Sequence, residues 1–131
     1  MTLLEAARPF VAYGYIFGTI ALTVYGQIVI KWQVSKVGPM PAGLEGKLQF
    51  MLNMLLNPWV LSGFLAAFLA SFCWMAALTK FPLNVAYPFT ALSFVAVLIC
   101  SALLFYEPVT LSKWIGMAFL IAGVVISAQK W

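Results

Sequence analysis

Thr19, Thr23, Gln27 and Lys31 recur at successive i,i+4 positions inside an otherwise apolar run. On a helix each such step advances about 400°, so the four side chains trace a stripe that drifts by about 40° per step and climbs about 18 Å in all. That length covers about half a bilayer. In hydrocarbon such groups face protein or a wet cavity, because an unsatisfied polar group costs several kcal/mol there. The stripe therefore suits the binding or passage of a polar group. A plainer reading has the threonine hydroxyls bonded to carbonyls of their own helix, Gln27 tying two helices together and Lys31 extending to the membrane surface.

A second set, Thr90, Ser93, Cys100 and Glu107, falls at steps compatible with one face of a later helix, with Val97 and Leu104 completing the row. In a chain that crosses the bilayer four times, the ends of the first and third crossings lie on the same side. Lys31 and Glu107 then come within reach of each other. An ammonium beside a carboxylate is complementary to a zwitterionic or phosphate-bearing headgroup. The same two residues also suit a structural salt bridge at the interface, or a Glu107 that is simply solvated.

The elements that must position these groups follow from composition. Of 131 residues, 65% are hydrophobic and only 8% charged, with a mean hydropathy of +1.05. Soluble domains carry roughly 25% charged residues, so lipid is the solvent for most of this chain. A helix crosses the hydrocarbon core in about 20 residues; four crossings use about 80 and leave the rest for turns. The sequence has no His and no Asp, and its two Cys, Cys73 and Cys100, sit singly in apolar runs. That composition argues against a zinc site, a Ser-His-Asp triad or a Cys-His pair. We expect no enzyme, no metal and no cofactor, and we read both Cys as small buried hydrophobes.

Four spans are expected in one domain over 1–131, at about 10–34, 58–79, 83–106 and 110–129. The length and polar content of the first, and the three spans after it, favour a retained helix over a signal peptide. An amphipathic connection at about 43–57, with Leu44, Leu48, Met51, Leu52 and Leu55 at helical spacing, reads as a short helix lying in the interface. Pro58 suits a first helical turn, and Lys80, Phe81 and Pro82 make a tight turn. Pro88 allows a kink inside the third span, and Thr110 or Ser112 caps the fourth. Trp32, Trp59, Tyr106 and Trp114 fall at expected span ends, where amphipathic rings favour the headgroup region.

The cations do not favour one face. Arg8, Lys80 and Lys130 fall on one side and Lys31, Lys36, Lys47 and Lys113 on the other, too even a split to fix orientation by the positive-inside rule. The cations stand singly and form no basic stripe for nucleic acid. Antiparallel homodimerisation is a natural outcome of such balance. Small residues supply helix contacts: Gly14 and Gly18 in span one, and the rows Ser62, Ala66, Ala70 and Gly63, Ala67, Ser71 in span two. In span four, Gly116, Leu120, Gly123 and Ser127 read as a dimer seam.

The pattern from Leu78 to Ile126, "LTKFPLNVAYPFTALSFVAVLICSALLFYEPVTLSKWIGMAFLIAGVVI", resembles the drug/metabolite transporter superfamily in its small, single-repeat, EamA-like form. "GQIVIK" (Gly26 to Lys31), "FPLNVAYP" (Phe81 to Pro88) and "YEPVTLSKWIG" (Tyr106 to Gly116) are most similar to subunits that flip aminoarabinose linked to undecaprenyl phosphate. The resemblance implies an all-α, multi-pass protein of the bacterial inner membrane that works as a dimer and moves a polyprenyl-phosphate-linked sugar between leaflets. Small multidrug exporters share the chain's length, "FPLNVAY" and the span-four "GMAFLIAGV". The membrane-embedded Glu they depend on corresponds here to Thr23, and their drug-site Trp to Thr90. Those departures count against cation/proton exchange, which stays as the alternative.

On the flippase reading Lys31 binds the phosphate, and Glu107 contacts a sugar amine or hydroxyl or holds Lys31 in place. Thr19, Thr23, Gln27, Tyr87 and Thr90 line the route. The expected partners are the lipid substrate, the membrane and a second subunit, most simply an antiparallel copy, with a heterodimer as the other option.

Overall fold

Leucine, alanine and phenylalanine dominate runs long enough to cross a bilayer, and with no water to serve the backbone such runs must be helical. The computed structural model describes residues 3–129, with side chains from Phe10 onward; Arg8, Lys130 and Trp131, assigned to the ends above, lie outside the described side chains. The described residues form helices α1 (Leu3–Val37), α2 (Leu44–Leu56), α3 (Pro58–Leu78), α4 (Leu83–Phe89), α5 (Leu92–Leu104) and α6 (Leu111–Ala128) and no strand. Four stretches have the length and apolarity of membrane spans: Phe10–Val37, Pro58–Leu78, Leu83–Leu104 and Leu111–Ala128. α1 begins seven residues ahead of the expected first span.

The helix ends follow their capping residues. Gly38, with φ of 89°, takes the left-handed conformation that closes α1, and its N–H reaches the Val34 carbonyl. Asn57 caps α3: its side-chain oxygen accepts from the Trp59 N–H at 2.9 Å, ahead of Pro58 in the first turn. Its amide nitrogen donates to Gln33 Oε1 at 3.0 Å, tying the start of α3 to the end of α1. Gln33 is 4% exposed. Thr110, not Ser112, caps α6, accepting from the Lys113 N–H at 3.4 Å.

The third span is two helices. Pro88 has no N–H, so the Asn84 carbonyl loses its donor one turn on. The chain tightens to i→i−3 bonds at Thr90, Ala91, Ser93 and Phe94. The Thr90 and Ser93 hydroxyls donate to the Tyr87 and Thr90 carbonyls, each at 2.6 Å, which also accept the Thr90 and Ser93 N–H groups, so the side chains reinforce the tightened turns. What sequence suggested as a kink is a break between α4 and α5.

α1 and α3 are the main packed pair. Val60, Gly63, Ala66, Ala70 and Ala77 are the buried residues of α3, a small-residue ridge drawn from both rows expected there. The helices cross most closely at Gly26 and Gly63: a Cβ on Gly26 would lie 3.0 Å from the Gly63 carbonyl oxygen. Without a hydrophobic drive between helices in lipid, such close backbone approach is what makes packing favourable. Among the described residues Gly14 meets nothing within 4 Å, so the expected Gly14/Gly18 pair makes no joint contact there; Gly18 alone is close to a neighbour, the thiol of Cys73. Sequence spacing ranked the wrong glycines, because a small-xxx-small pair says that close approach is allowed and not where a neighbour stands. Both Cys are free and half-buried, not fully buried as expected.

The most enclosed core lies at the end formed by the tight turn. Ala12, Ile16, Ala77, Phe81, Val85 and Ala86 cluster there, with the Tyr13 ring 5.1 Å from Phe81 and 5.9 Å from Phe89. α6 buries only Met117 and Val124.

Candidate functional site

The other end of the bundle gathers polar and aromatic groups. Lys31, near the end of α1, and Glu107, just past the end of α5, form an ion pair with Nζ and Oε1 3.5 Å apart. Local backbone geometry turns Glu107 toward α1. Tyr106 sits at φ of 54°, a left-handed conformation uncommon for a side chain other than Gly or Asn. The Ser101 carbonyl accepts from both the Phe105 and Glu107 N–H groups, at 3.0 and 3.3 Å. α5 is thus closed by a sharp reversal, after which Pro108 prevents the helix from resuming.

The pair is open to other ligands. The Lys31 and Glu107 side chains are 53% and 43% exposed, so in water their attraction would be worth at most about 1 kcal/mol. Lys31 has three donors and spends one on Glu107. Nearby cations are held less directly: Lys113 Nζ donates to the Pro108 carbonyl at 3.5 Å, and Lys36 Nζ stands 4.0 Å above the Trp32 ring. Trp32 meets Trp59 edge to face at 5.3 Å. These rings and cations belong to one end of the molecule and match an aromatic belt at a headgroup level.

The remaining candidates do not gather around the pair. The Thr19 hydroxyl donates to the Tyr15 carbonyl of its own helix at 2.9 Å, which is the plain role for such a threonine. Thr23 is half-buried and Gln27 exposed; among the described residues neither side chain is given a hydrogen bond. The 40° drift carries the stripe from half-buried positions at Thr19 and Thr23 to an exposed one at Gln27. Tyr87 and Thr90 lie toward the opposite end, on α4 and at the break. Tyr87 is exposed with its ring 6.2 Å from Trp74, and the Thr90 hydroxyl is committed to the Tyr87 carbonyl. Sequence reasoning passed over Gln33, Asn57 and the Tyr25 to Ser62 hydroxyl contact at 3.0 Å. The signal for Gln33 was its place seven residues after Gly26, on the stripe that faces α3.

Along the seam between α1 and α5 two shallow hollows adjoin. One, of about 340 Å³, is lined by Ile28, Val29, Trp32, Leu104 and Phe105. The other, of about 610 Å³, shares Ile28 and Leu104 and runs back along α1 to Phe17. On the α4/α6 side, Gly116, Leu120, Gly123 and Ser127 line a third furrow of about 340 Å³ together with Pro88 and Ala91. Among the described residues, nothing beyond its own stretch of helix lies within 4 Å of where a Cβ would stand on Gly116 or Gly123.

Four apolar spans joined by short connections, with an ion pair at one end and open furrows along the sides, define a small multi-pass membrane protein. The chain belongs to the EamA-like transporter family, which matches residues 4–129. It is 31% identical over 126 residues, 94% of this chain and 83% of the relative, to the probable 4-amino-4-deoxy-L-arabinose-phosphoundecaprenol flippase subunit ArnF of Aeromonas salmonicida (strain A449). The ArnF subunit of the same description from Photorhabdus laumondii subsp. laumondii is 35% identical over 120 residues, 85% of this chain and 93% of the relative. Over 58 residues, 44% of this chain and 52% of the relative, it is 43% identical to the probable flippase subunit ArnE of Escherichia coli O81 (strain ED1a). No solved structure matches the chain.

Proposed function

We propose that this chain is a subunit of a flippase that moves a polyprenyl-phosphate-linked aminosugar between leaflets of the bacterial inner membrane, with Lys31 and Glu107 receiving the headgroup. The observation that carries the reading is the exposed ion pair at 3.5 Å. An amino sugar on a phosphate bears one charge of each sign, and the pair offers the complement of both. Lys31 binds the phosphate and Glu107 the sugar ammonium, so each exchanges a weak mutual contact for a charge-assisted one. Unaided, the phosphate faces a barrier of about 3 to over 10 kcal/mol in hydrocarbon. The names of the relatives support this substrate class. Exchange of a cation for a proton is less well supported, because span one carries Thr23 where that chemistry needs an embedded acid.

Exposed Gln27, and half-buried Thr23 one turn beyond it, continue the path away from Lys31 along α1. Helix α2, with Leu44, Leu48, Leu52 and Leu56 exposed, lies along the interface with these side chains in lipid. The α6 furrow receives the α6 of a second four-span chain, either an antiparallel copy or a sister subunit, as the word subunit in the relatives' names suggests. Liposomes holding the aminoarabinose-linked lipid test the activity. Protein should expose the inner-leaflet amine to an impermeant amine reagent within minutes, and an unchanged protected fraction, with this chain alone and with a co-expressed sister subunit, overturns the flippase. For the seam, single cysteines in a chain with Cys73 and Cys100 replaced by serine should crosslink position 116 to position 127 of a second chain. Crosslinks of 116 to 116 would instead show parallel packing.

A further inference from the structure

Both hollows on the α1/α5 seam have the character of one groove. They share Ile28 and Leu104, and together they run from the Trp32 and Phe105 level, beside the ion pair, back to Phe17. The lining positions Phe17, Ala21, Val24 and Ile28 follow helical spacing along one face of α1, and Lys31 continues that line three residues on. From Phe17 to Ile28 the groove rises about 16 Å, roughly half the hydrocarbon thickness. Its walls are almost wholly apolar, and it opens sideways toward where lipid lies.

We infer that this groove holds the hydrocarbon tail of the lipid whose head sits at Lys31 and Glu107, and that its occupant is a single polyprenyl chain. The inference rests on the headgroup reading above and adds a tail site to it. Charge and shape agree on this occupant. A cation stands where the groove ends, so an anionic head placed on Lys31 directs its chain down the α1/α5 furrow. The furrow lies between just two helices and accommodates one chain, leaving the second chain of a diacyl lipid uncovered. The other apolar hollow near this end, of about 450 Å³, is lined by Ile30 and Val34 of α1 and by α2 and α3, on the far side of α1 from α5. Among the described residues its lining holds no charged group and no ion pair.

Filling the groove tests this. Ala96→Trp on α5 and Ala21→Trp on α1 each place an indole where the tail runs, while Lys31 and Glu107 are untouched. Purified protein is incubated with undecaprenyl phosphate, with a short-chain prenyl phosphate, or with phosphatidylglycerol, and bound lipid is read by native mass spectrometry. The expected result is a loss of at least about tenfold in retained undecaprenyl phosphate for both variants, with short-chain retention unchanged. Unchanged retention of the long lipid in both variants overturns the tail site, as does phosphatidylglycerol displacing undecaprenyl phosphate at equal concentration. Should one variant fail to fold, a prenyl phosphate carrying a tail diazirine still decides the matter in the wild type. Labelling of Phe17–Ile28 and Ala96–Leu104 supports the groove, and labelling confined to other segments refutes it. Lys31→Ala run alongside separates the two readings: if it abolishes short-chain binding while the groove variants change nothing, the headgroup site stands and only the tail site falls. If Lys31→Ala retains both lipids, the headgroup reading fails.

Discussion

Lys31→Ala lowers retention and transport of the aminosugar lipid roughly 10- to 100-fold, because it removes a charge-assisted bond to phosphate worth about 1.5–3 kcal/mol. The loss extends to undecaprenyl phosphate without a sugar, since its monoester phosphate, though more highly charged than the diester of the aminosugar lipid, binds the same ammonium. Glu107→Gln behaves differently. It keeps the shape beside Lys31 but cannot pair with an ammonium, so the preference for the amino-bearing lipid falls by a similar factor while the bare phosphate binds as well or better. Better binding follows because the 3.5 Å pair no longer engages Lys31. Neither substitution unfolds the protein, as a pair this exposed contributes little to stability. Competition between the two lipids, measured for wild type and both variants, checks all three statements. Equal losses for both lipids in Glu107→Gln would remove the ammonium role and leave Glu107 as a partner for Lys31 alone.

Gly26→Leu has the largest expected effect on the fold. Its first added carbon meets the Gly63 carbonyl oxygen at 3.0 Å, and backbone cannot swing aside as the end of a side chain can. Overpacking of this kind costs about 1–3 kcal/mol, and here it separates the most extensively packed pair of helices among the described residues. Gly63→Ala is milder, its Cβ standing 3.4 Å from the Gly26 oxygen. Gly14→Leu enters open space and should be neutral in the isolated chain. The temperature at which detergent-solubilised protein loses its monodisperse peak on size-exclusion chromatography orders the three. A Gly14→Leu loss equal to that of Gly26→Leu would mean that glycine content, not the crossing, sets stability.

Much of this arrangement is legible in the sequence, because lipid as solvent leaves few choices. Twenty-residue apolar runs must be helices, short connections must return the chain, and four crossings put residue 31 and residue 107 at the same end. The all-helical class and the Lys31 to Glu107 proximity follow from counting. What counting misses is rotation. Thr19 and Gln27 belong to one stripe on paper, yet the drift of about 40° per step leaves one half-buried and the other in the open. Gly14 and Gly26 read alike in the sequence, and only the neighbour that each meets distinguishes them. The break after Pro88 was visible as a missing donor; the tightened turns that follow it, reinforced by the Thr90 and Ser93 hydroxyls, required knowing that those side chains turn back on their own chain. Tyr106 gave no signal at all, since a left-handed tyrosine is set by the turn around it and not by its own preference.

The division of the third span between α4 and α5 makes it a lever. Val85 and Ala86 of α4 are clamped in the core with Ile16 and Phe81, whereas α5 leaves that core at Ala91 and runs about 20 Å to its far end. A change of about 10° at the fulcrum moves that end by about 3 Å. Glu107 rides on the long arm, so a modest change in bend is comparable to the whole separation of the ion pair. The exact angle of the break beside Pro88 therefore helps set where Glu107 stands relative to Lys31.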